Sequence, residues 1–227
     1  MQRMLAIFEM PKAYKFLPDK IPVHLAYEIL RKGDEALANE FHQSTSIKPF
    51  CYGGKCRNNC YVMQFSTIDD KIAEVFMSGL DKTKGLWQTD PLLCLVDYFK
   101  LPSFAVEGNE IKVSTVSPVT LSKPVQKGNS LQKRYLELDK DPDLFCAELN
   151  RSLLKKADAL GVNIAPVDFT NTFCKHAWVS LYGGKILSYR GDFTLKGDAD
   201  SLLFALHAGI GERSSSGFGA IVPEGRR

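Results

Sequence analysis

The order of local sequence patterns constrains the fold of this chain more than any other feature, because the same order occurs twice. Arg3–Met10 is a compact apolar segment that ends before a proline and predicts a buried strand. Pro22–Lys32 has apolar residues at helical spacing, and Gly33 ends that helix. The other predicted elements of the first half are a helix at Glu35–Phe41 capped by Asp34, strands at Pro49–Tyr52 and Tyr61–Ser66 around a loop, a helix at Asp69–Leu80, and a hairpin at Val106–Val113 that turns at Gly108-Asn109.

The second half follows the same order after an extended segment, Val113–Leu121, and a basic loop, Ser122–Arg134. Its longest helix is predicted over Pro142–Leu160 and ends at Gly161. The remaining predicted elements are strands at Pro166–Phe173, Ala177–Tyr182 and Arg190–Leu195, a helix at Ala199–Ala208 capped by Asp198, and a final strand at Gly219–Val222.

Two successive orders of strand, helix, two strands, helix and strand predict an α+β protein. The expected architecture is two tandem ferredoxin-like domains, which RNA-recognition motifs (RRM) also use. The 227 residues of the chain suit two domains of about 110 residues each. We therefore expect an N-terminal domain over residues 1–115 and a C-terminal domain over residues 116–227.

The net charge of +3 says little about partners, but basic residues cluster in two stretches that contain no acidic residue. The first stretch, Phe41–Ile68, contains Lys48, Lys55 and Arg57. The basic residues of the second stretch, within the basic loop, are Lys123, Lys127, Lys133 and Arg134. Both stretches could face a polyanion such as RNA, and the alternative is two solvated loops.

Several protein classes are excluded by the pattern of apolar and cysteine residues. The longest apolar runs are far shorter than the roughly 20 residues that cross a bilayer, so no membrane span is expected. The N-terminus lacks the pattern of a secretory signal, which predicts a cytoplasmic protein with reduced thiols. Cys51, Cys56 and Cys60 form no paired C-x-x-C and have no fourth ligand nearby, so we predict no metal site and no cofactor.

The most distinctive motif is the glycine loop, Gly209–Gly219, with the pattern G-x-G-x5-G-x-G. Glycines permit a positive φ and a close backbone approach, so N–H groups here could face a phosphate. The loop follows a predicted helix and precedes a strand, the reverse of a dinucleotide-binding loop, and a flexible connection is the alternative. The residues predicted to form this binding loop are Gly209, Gly211, Arg213, Ser214, Ser215, Ser216, Gly217, Phe218 and Gly219.

Three segments together resemble the CRISPR-associated endoribonucleases of the Cas6 family, which belong to the RAMP superfamily of repeat-processing proteins. GIGERSSSGFG resembles the C-terminal glycine loop of that family, HLAYEILRKGDEALANEFHQSTSIKPF resembles its first helical region, and STVSPVTL resembles the stretch that opens its second domain. The resemblance implies two ferredoxin-like domains and a prokaryotic CRISPR repeat RNA as the substrate. Non-catalytic relatives carry related glycine loops.

The resemblance also implies a catalytic set, because active members of the family use a Tyr, a His and a Lys. The matching positions here are Tyr27, His42 and Lys48. Metal-free RNA cleavage needs a proton acceptor, a proton donor and a cation for the charged phosphorane, and these three residue types can supply them. An imidazole at a helix C-terminus suits the donor role, since the helix dipole favours positive charge there.

Each of these residues also has a simpler interpretation. Without the resemblance, Tyr27 would be a packing residue, His42 a capping cation and Lys48 a solvated charge. His207, which ends the helix before the glycine loop, is the alternative proton-transfer group. His24 and His176 are interpreted as structural.

The function implied by the resemblance is a metal-independent endoribonuclease that cuts CRISPR precursor RNA once per repeat. The products would carry 2′,3′-cyclic phosphate and 5′-hydroxyl ends, and the basic loop and the glycine loop would contact RNA phosphates. A homodimer and subunits of a CRISPR effector complex are further partners that the resemblance allows. Two alternatives stay open: a non-catalytic RAMP subunit that binds guide RNA, and an enzyme that binds a small phosphorylated molecule.

Overall fold

The computed structural model describes residues 1–11, 19–84, 87–88, 93–127, 130–181 and 183–224. The strands are β1 (Gln2–Glu9), β2 (Phe50–Arg57), β3 (Cys60–Thr67), β4 (Trp87–Gln88), β5 (Leu93–Leu101), β6 (Glu110–Thr115), β7 (Ser122–Lys127), β8 (Ser130–Tyr135), β9 (Asp168–Leu181), β10 (Gly184–Lys196) and β11 (Ile221–Pro223). The helices are α1 (Lys20–Gly33), α2 (Glu35–Gln43), α3 (Asp70–Thr83), α4 (Pro142–Ala159) and α5 (Ala199–Ala208), with one 3-10 turn at Ser214–Ser216.

Two four-stranded antiparallel arrangements form the frame of the molecule. In the first sheet the order is β2-β3-β1-β5, extended at one edge by β4, and in the second it is β11-β6-β10-β9. Each order places the first strand of the unit beside its third and fourth strands, which is the ferredoxin-like arrangement. The prediction of an α+β fold with tandem ferredoxin-like units is confirmed.

Four of the five helices, α2 to α5, begin at an aspartate whose side chain caps the first turn, whereas α1 has no side-chain cap. The side chain of Asp34 accepts a hydrogen bond from the Leu37 backbone N–H at 3.0 Å and starts α2. Asp198 does the same for α5 through the Ser201 backbone N–H at 2.8 Å. Because these caps are readable in the sequence, the predicted bounds of α5 agree with the structure.

Three apolar clusters hold the two sheets and their helices together. One lies between the first sheet and α1 and α3, and a second lies between the second sheet and α4 and α5. A third cluster joins α1 to the second unit through Val23, Val179, Leu181, Ile186 and Phe218. The side chain of Asp19, at the start of α1, also accepts a hydrogen bond from the Ser180 backbone N–H at 2.7 Å. Helix α1 therefore packs against both units, and α5 contacts β2 and β3 of the first sheet.

The structure corrects several predicted strands of the first half. The ladder between β2 and β3 continues through Gly53 and Gly54, so the two glycines lie in a strand and the turn falls at Asn58-Asn59. Both asparagines have a positive φ, as a two-residue hairpin turn requires. The predicted hairpin at Gly108-Asn109 is wrong, because β5 pairs with β1 whereas β6 pairs with β10 and β11.

The domain boundary and the basic loop are corrected in the same way. Since β6 belongs to the second sheet, the change of sheet falls between Leu101 and Glu110 and not at residues 115 and 116. The predicted basic loop is an antiparallel hairpin of β7 and β8. The strands predicted at Pro166–Phe173, Ala177–Tyr182 and Arg190–Leu195 form one long hairpin of β9 and β10.

Two further findings concern membranes and thiols. Within the described ranges, no helix is long and apolar enough to cross a membrane. All six cysteines lie in the described part of the chain and are free thiols.

Candidate functional site

A cleft of about 1640 Å³ opens between the two ferredoxin-like units. One wall is formed by α1, α2 and the segment after α2. The opposite wall is formed by the glycine loop, one face of α4 and the start of the β7–β8 hairpin. The cleft therefore brings together the three sequence regions predicted to act on RNA.

Tyr27 and His42 meet on the first wall. Tyr27 lies on α1 and His42 lies in the last turn of α2, which Asp34 caps at its other end. Their ring centroids are 6.0 Å apart with an interplanar angle of 74°, an edge-to-face contact. Tyr27 is half-buried and also packs edge to face against Phe50, whereas His42 is exposed. The phenol is thus held by the core and the imidazole faces the cleft.

Lys48 also reaches the cleft wall, but its ammonium is occupied. The Nζ atom donates to the carbonyl oxygens of Ser44 and Ser46, both at 2.9 Å, and to the Ser46 Oγ at 3.2 Å. Lys48 is only 4% exposed, and desolvation lowers the pKa of its amine. An ammonium has three donors, so this geometry fixes the segment after α2 and contradicts the alternative interpretation of Lys48 as a solvated charge.

The glycine loop is held in shape by the strands around it. The Ile210 N–H donates to the Gly219 carbonyl at 2.9 Å, and the Tyr52 hydroxyl donates to the Ser215 carbonyl at 2.9 Å. Gly217 has a φ of +78°, and a Cβ there would lie 3.3 Å from the ring of Tyr52. The loop is an ordered element anchored to β2, which argues against the flexible connection considered above.

Only part of the glycine loop faces the cleft. The residues that line it are Gly211, Glu212, Arg213, Ser214, Ser215 and Ser216. The structure corrects the predicted binding role of Phe218, which is 1% exposed and packs in the cluster that joins α1 to the second unit. Gly209 and Gly219 are also buried and shape the loop from within.

Lys156, a buried residue that the sequence analysis did not single out, stabilises the start of the glycine loop. Lys156 on α4 donates from Nζ to the Ala208 and Gly209 carbonyls, at 3.0 and 2.7 Å. These carbonyls end α5, where the helix dipole is negative and favours a cation. Desolvation lowers the pKa of Lys156 to about 8, and desolvation raises the pKa of the nearby Cys51 thiol to about 12.

The β7–β8 hairpin divides its basic residues between two faces, because neighbouring strand residues point in opposite directions. Lys133, paired with Pro124, lines the cleft. Lys123 and Arg134 pair with each other and do not line the cleft, although the Lys123 Nζ forms an ion pair at 2.8 Å with Glu148, which does line it. Of the four predicted hairpin contacts, Lys133 is placed in the cleft, Lys123 and Arg134 are not, and the side chain of Lys127 lies outside the described residues.

Several basic residues of the cleft were missed by the sequence analysis. Arg151 and Lys155 are exposed on the α4 face that lines the cleft, and their i, i+4 spacing was the signal for them. Lys20, His24 and Arg31 line the opposite wall from α1, at helical spacing around Tyr27. His24, interpreted above as structural, is exposed and lines the cleft.

The alternative proton-transfer group, His207, does not reach the cleft. It is 0% exposed between α5 and the first sheet, where it meets the Phe104 ring edge to face at 5.2 Å. Desolvation lowers the pKa of His207 to about 4, which keeps the imidazole neutral. His176 is exposed on β9, with Nδ1 3.9 Å from Asp139, and does not line the cleft.

The predicted cysteine group does not gather around one point. Cys51 is buried, with Sγ donating to the His207 carbonyl at 3.4 Å, whereas Cys56 and Cys60 lie near the other end of the β2–β3 hairpin. Among the described residues, no group of three or more His, Cys, Asp or Glu side chains is arranged to hold a metal ion.

The family profile for the C-terminal part of the CRISPR associated protein Cas6 matches residues 100–222, which is more than half of the chain. The chain belongs to the Cas6 family. No curated protein matches the sequence.

Solved Cas6 and RAMP structures share the whole fold. A Cas6-related protein from Pyrococcus furiosus aligns with a TM-score of 0.83 at 15% identity, covering 100% of this chain and 99% of that one. A RAMP protein that binds different RNA substrates aligns with a TM-score of 0.83 at 16% identity, covering 98% and 99%. A Cas6 product complex aligns with a TM-score of 0.72 at 19% identity, covering 98% of each chain.

Proposed function

We propose that this Cas6-family chain is an endoribonuclease that cleaves CRISPR precursor RNA within the repeat. The observation that carries the proposal is the edge-to-face pair of Tyr27 and His42 on one cleft wall, opposite Arg213 and the serines of the glycine loop. One wall offers groups that exchange protons, and the other offers groups that hold a phosphate. The similarity to a RAMP protein that binds RNA and to a Cas6 product complex supports the same function.

The proposed reaction is attack by a ribose 2′-oxygen on the adjacent phosphorus. The new bond closes a 2′,3′-cyclic phosphate, and the bond from phosphorus to the 5′-oxygen breaks. His42, exposed at the end of α2, gives a proton to the departing 5′-oxygen, which leaves as a hydroxyl. Tyr27 orients the 2′-hydroxyl through its phenol, which the core holds in place. The proton of the 2′-hydroxyl passes to a general base of the cleft. Side chains can carry out both proton transfers, so we propose that cleavage is metal-independent.

Charge that develops on the phosphorane needs a cation, and Arg213 is the residue best placed for it. Arg213 lines the cleft at the start of the 3-10 turn, with a φ of +60° that the loop hydrogen bonds maintain. Its guanidinium can donate two parallel hydrogen bonds to a phosphate. We assign Lys48 a positioning role, because its ammonium fixes Ser44–Ser46 beside His42.

The rest of the cleft supplies a path for the RNA backbone. Lys133 on β8, Arg151 and Lys155 on α4 and Lys20 on α1 are exposed and line the cleft around the proposed cleavage point. Such cations release counterions when they meet phosphates, so RNA binding should weaken steeply with salt.

The test is incubation of the protein with 5′-labelled repeat RNA in excess EDTA, followed by analysis of the product ends. We expect one cut per repeat, with a 2′,3′-cyclic phosphate and a 5′-hydroxyl. RNA with a 2′-deoxy residue before the cut should bind but stay intact, because it lacks the nucleophile. Strict dependence on Mg²⁺ or a 3′-hydroxyl product would refute the mechanism. Tight binding without cleavage would instead identify a non-catalytic RAMP subunit.

A further inference from the structure

His24 is a titratable side chain of the cleft that has no role in the reaction described so far. It precedes Tyr27 by three residues on α1, is exposed, and lines the same cleft as Tyr27 and His42. Residues three apart on a helix are neighbours, with Cβ atoms about 5–6 Å apart. Tyr27 in turn contacts the His42 ring at 6.0 Å. His24, Tyr27 and His42 therefore line the same wall, with His24 about one helical turn before Tyr27 on α1.

The proposed reaction still needs a group that accepts the proton of the 2′-hydroxyl. A phenol ordinarily binds its proton up to about pH 10 and is a poor proton acceptor near neutrality. The Lys48 amine donates to three oxygens, and His42 must carry a proton in order to release one. A second imidazole fits the remaining role, because imidazole is the side chain whose ordinary titration lies between pH 5 and 8.

We propose that His24 is the general base of this site. The inference rests on the proposed function. A ring nitrogen of His24 takes the 2′-hydroxyl proton as the 2′-oxygen bonds to phosphorus, while His42 gives its proton to the 5′-oxygen as the bond from phosphorus to that oxygen breaks. After one turnover His24 is protonated and His42 is neutral, and exchange with water restores both. Tyr27 orients the 2′-hydroxyl.

Other charged groups share this part of the cleft and stay unchanged in the variants compared below. They are Lys20, Glu28 and Arg31 on α1, Glu35 on α2, Lys48 after α2, Lys133 on β8, Glu212 and Arg213 in the glycine loop, and Glu148, Arg151, Lys155 and Lys156 on α4. A difference between the pH profiles of two variants then reports the imidazole that was removed.

The experiment compares His24→Gln with His42→Ala under single-turnover conditions with saturating protein from pH 5 to 7.5. The control is His176→Gln, which removes an exposed imidazole outside the cleft. Each variant is tested on repeat RNA and on the same RNA with a bridging 5′-sulfur at the cut, whose thiolate leaves without a proton donor. RNA affinity is measured in parallel.

We expect His24→Gln to cleave both substrates about 10²–10³-fold more slowly, to keep its RNA affinity within a few-fold, and to lose the rise in rate with pH. His42→Ala should be slow on the oxygen substrate and restored on the sulfur substrate, and His176→Gln should match the wild type. The proposal is overturned if His24→Gln cleaves at the wild-type rate, if the sulfur substrate restores it, or if only its affinity falls. Failure of the wild type to cleave repeat RNA would instead refute the proposed function.

Discussion

The phenol ring of Tyr27 and the imidazole of His42 meet edge to face, with centroids 6.0 Å apart, although they lie on different helices. The turn between the helices falls at Asp34, whose extended backbone follows the end of α1 and whose side chain caps α2. Phe50 packs against the same phenol from the core. The relative position of the two groups is therefore built into the folded chain before RNA binds.

The role of Lys48 can be separated from direct contact with RNA. Lys48→Met keeps the aliphatic stem but leaves the Ser44 and Ser46 carbonyls without their donor. We expect the free energy of unfolding to fall by about 1–3 kcal/mol, since hydrogen bonds from charged groups contribute this much. Urea unfolding measures it. A variant that loses cleavage at wild-type stability would show that the ammonium acts on the phosphate itself.

Gly217 tests whether the glycine loop contacts RNA. Gly217→Val places a β-branched side chain at a φ of +78° and against Tyr52, and Gly161→Val is the matched control, at a φ of +68° in open space after α4. The strain should cost each variant about 1–3 kcal/mol of stability. We expect only Gly217→Val to weaken RNA binding. Equal affinity of the two variants would show that the loop is purely structural.

The two faces of the β7–β8 hairpin predict different effects for the same change of charge. Lys133→Ser removes a cation from the cleft, whereas Arg134→Ser removes one from the opposite face. We expect the first variant to lower RNA affinity and to reduce the slope of log affinity against log salt by about 0.7, the value for one phosphate contact on a single strand. Titrations at several salt concentrations measure the slope. If Arg134→Ser has the larger effect, the RNA crosses the other face.

Burial of His207 predicts a loss of stability in acid. The pKa of His207 is lowered to about 4 in the folded protein, whereas an unfolded imidazole titrates near pH 6.5. Between these values the unfolded state binds more protons, so stability is present above pH 6.5 and is lost as the pH falls towards 4. From pH 7 to 5 the wild type should lose about 2 kcal/mol more than His207→Leu in urea unfolding. Equal losses would mean that the buried imidazole titrates normally.

The sequence predicted the helices well because their determinants are local. The capping residues Asp34 and Asp198 and the apolar spacing of α1 are visible without any tertiary information. Pairing of strands is not local, so the membership of β6 in the second sheet could not be read from its residues. The sequence likewise predicted two strands where β9 is one, because the residues between them are mostly exposed and partly polar.

The sequence predicted which residues could form the candidate site better than it predicted what surrounds each of them. The motif predicted Tyr27 and His42 as candidates, and both line the cleft, but nothing local shows that Lys48 is buried against backbone carbonyls. Phe218 shares the motif with Arg213 and yet packs in the core, because the loop turns between them. The sequence analysis did not place His24 in the cleft, because nothing local shows which residues it faces in the folded chain.

The most direct test of His42 as the proton donor is the single-turnover cleavage rate of His42→Ala on repeat RNA in excess EDTA, with RNA affinity measured on the same protein. His42 is exposed on the cleft wall and separate from the basic residues of the opposite wall, so its loss should remove proton transfer and spare binding. That role predicts a rate about 10²–10⁴-fold below the wild type with affinity unchanged within a few-fold. Cleavage by His42→Ala at the wild-type rate would contradict it.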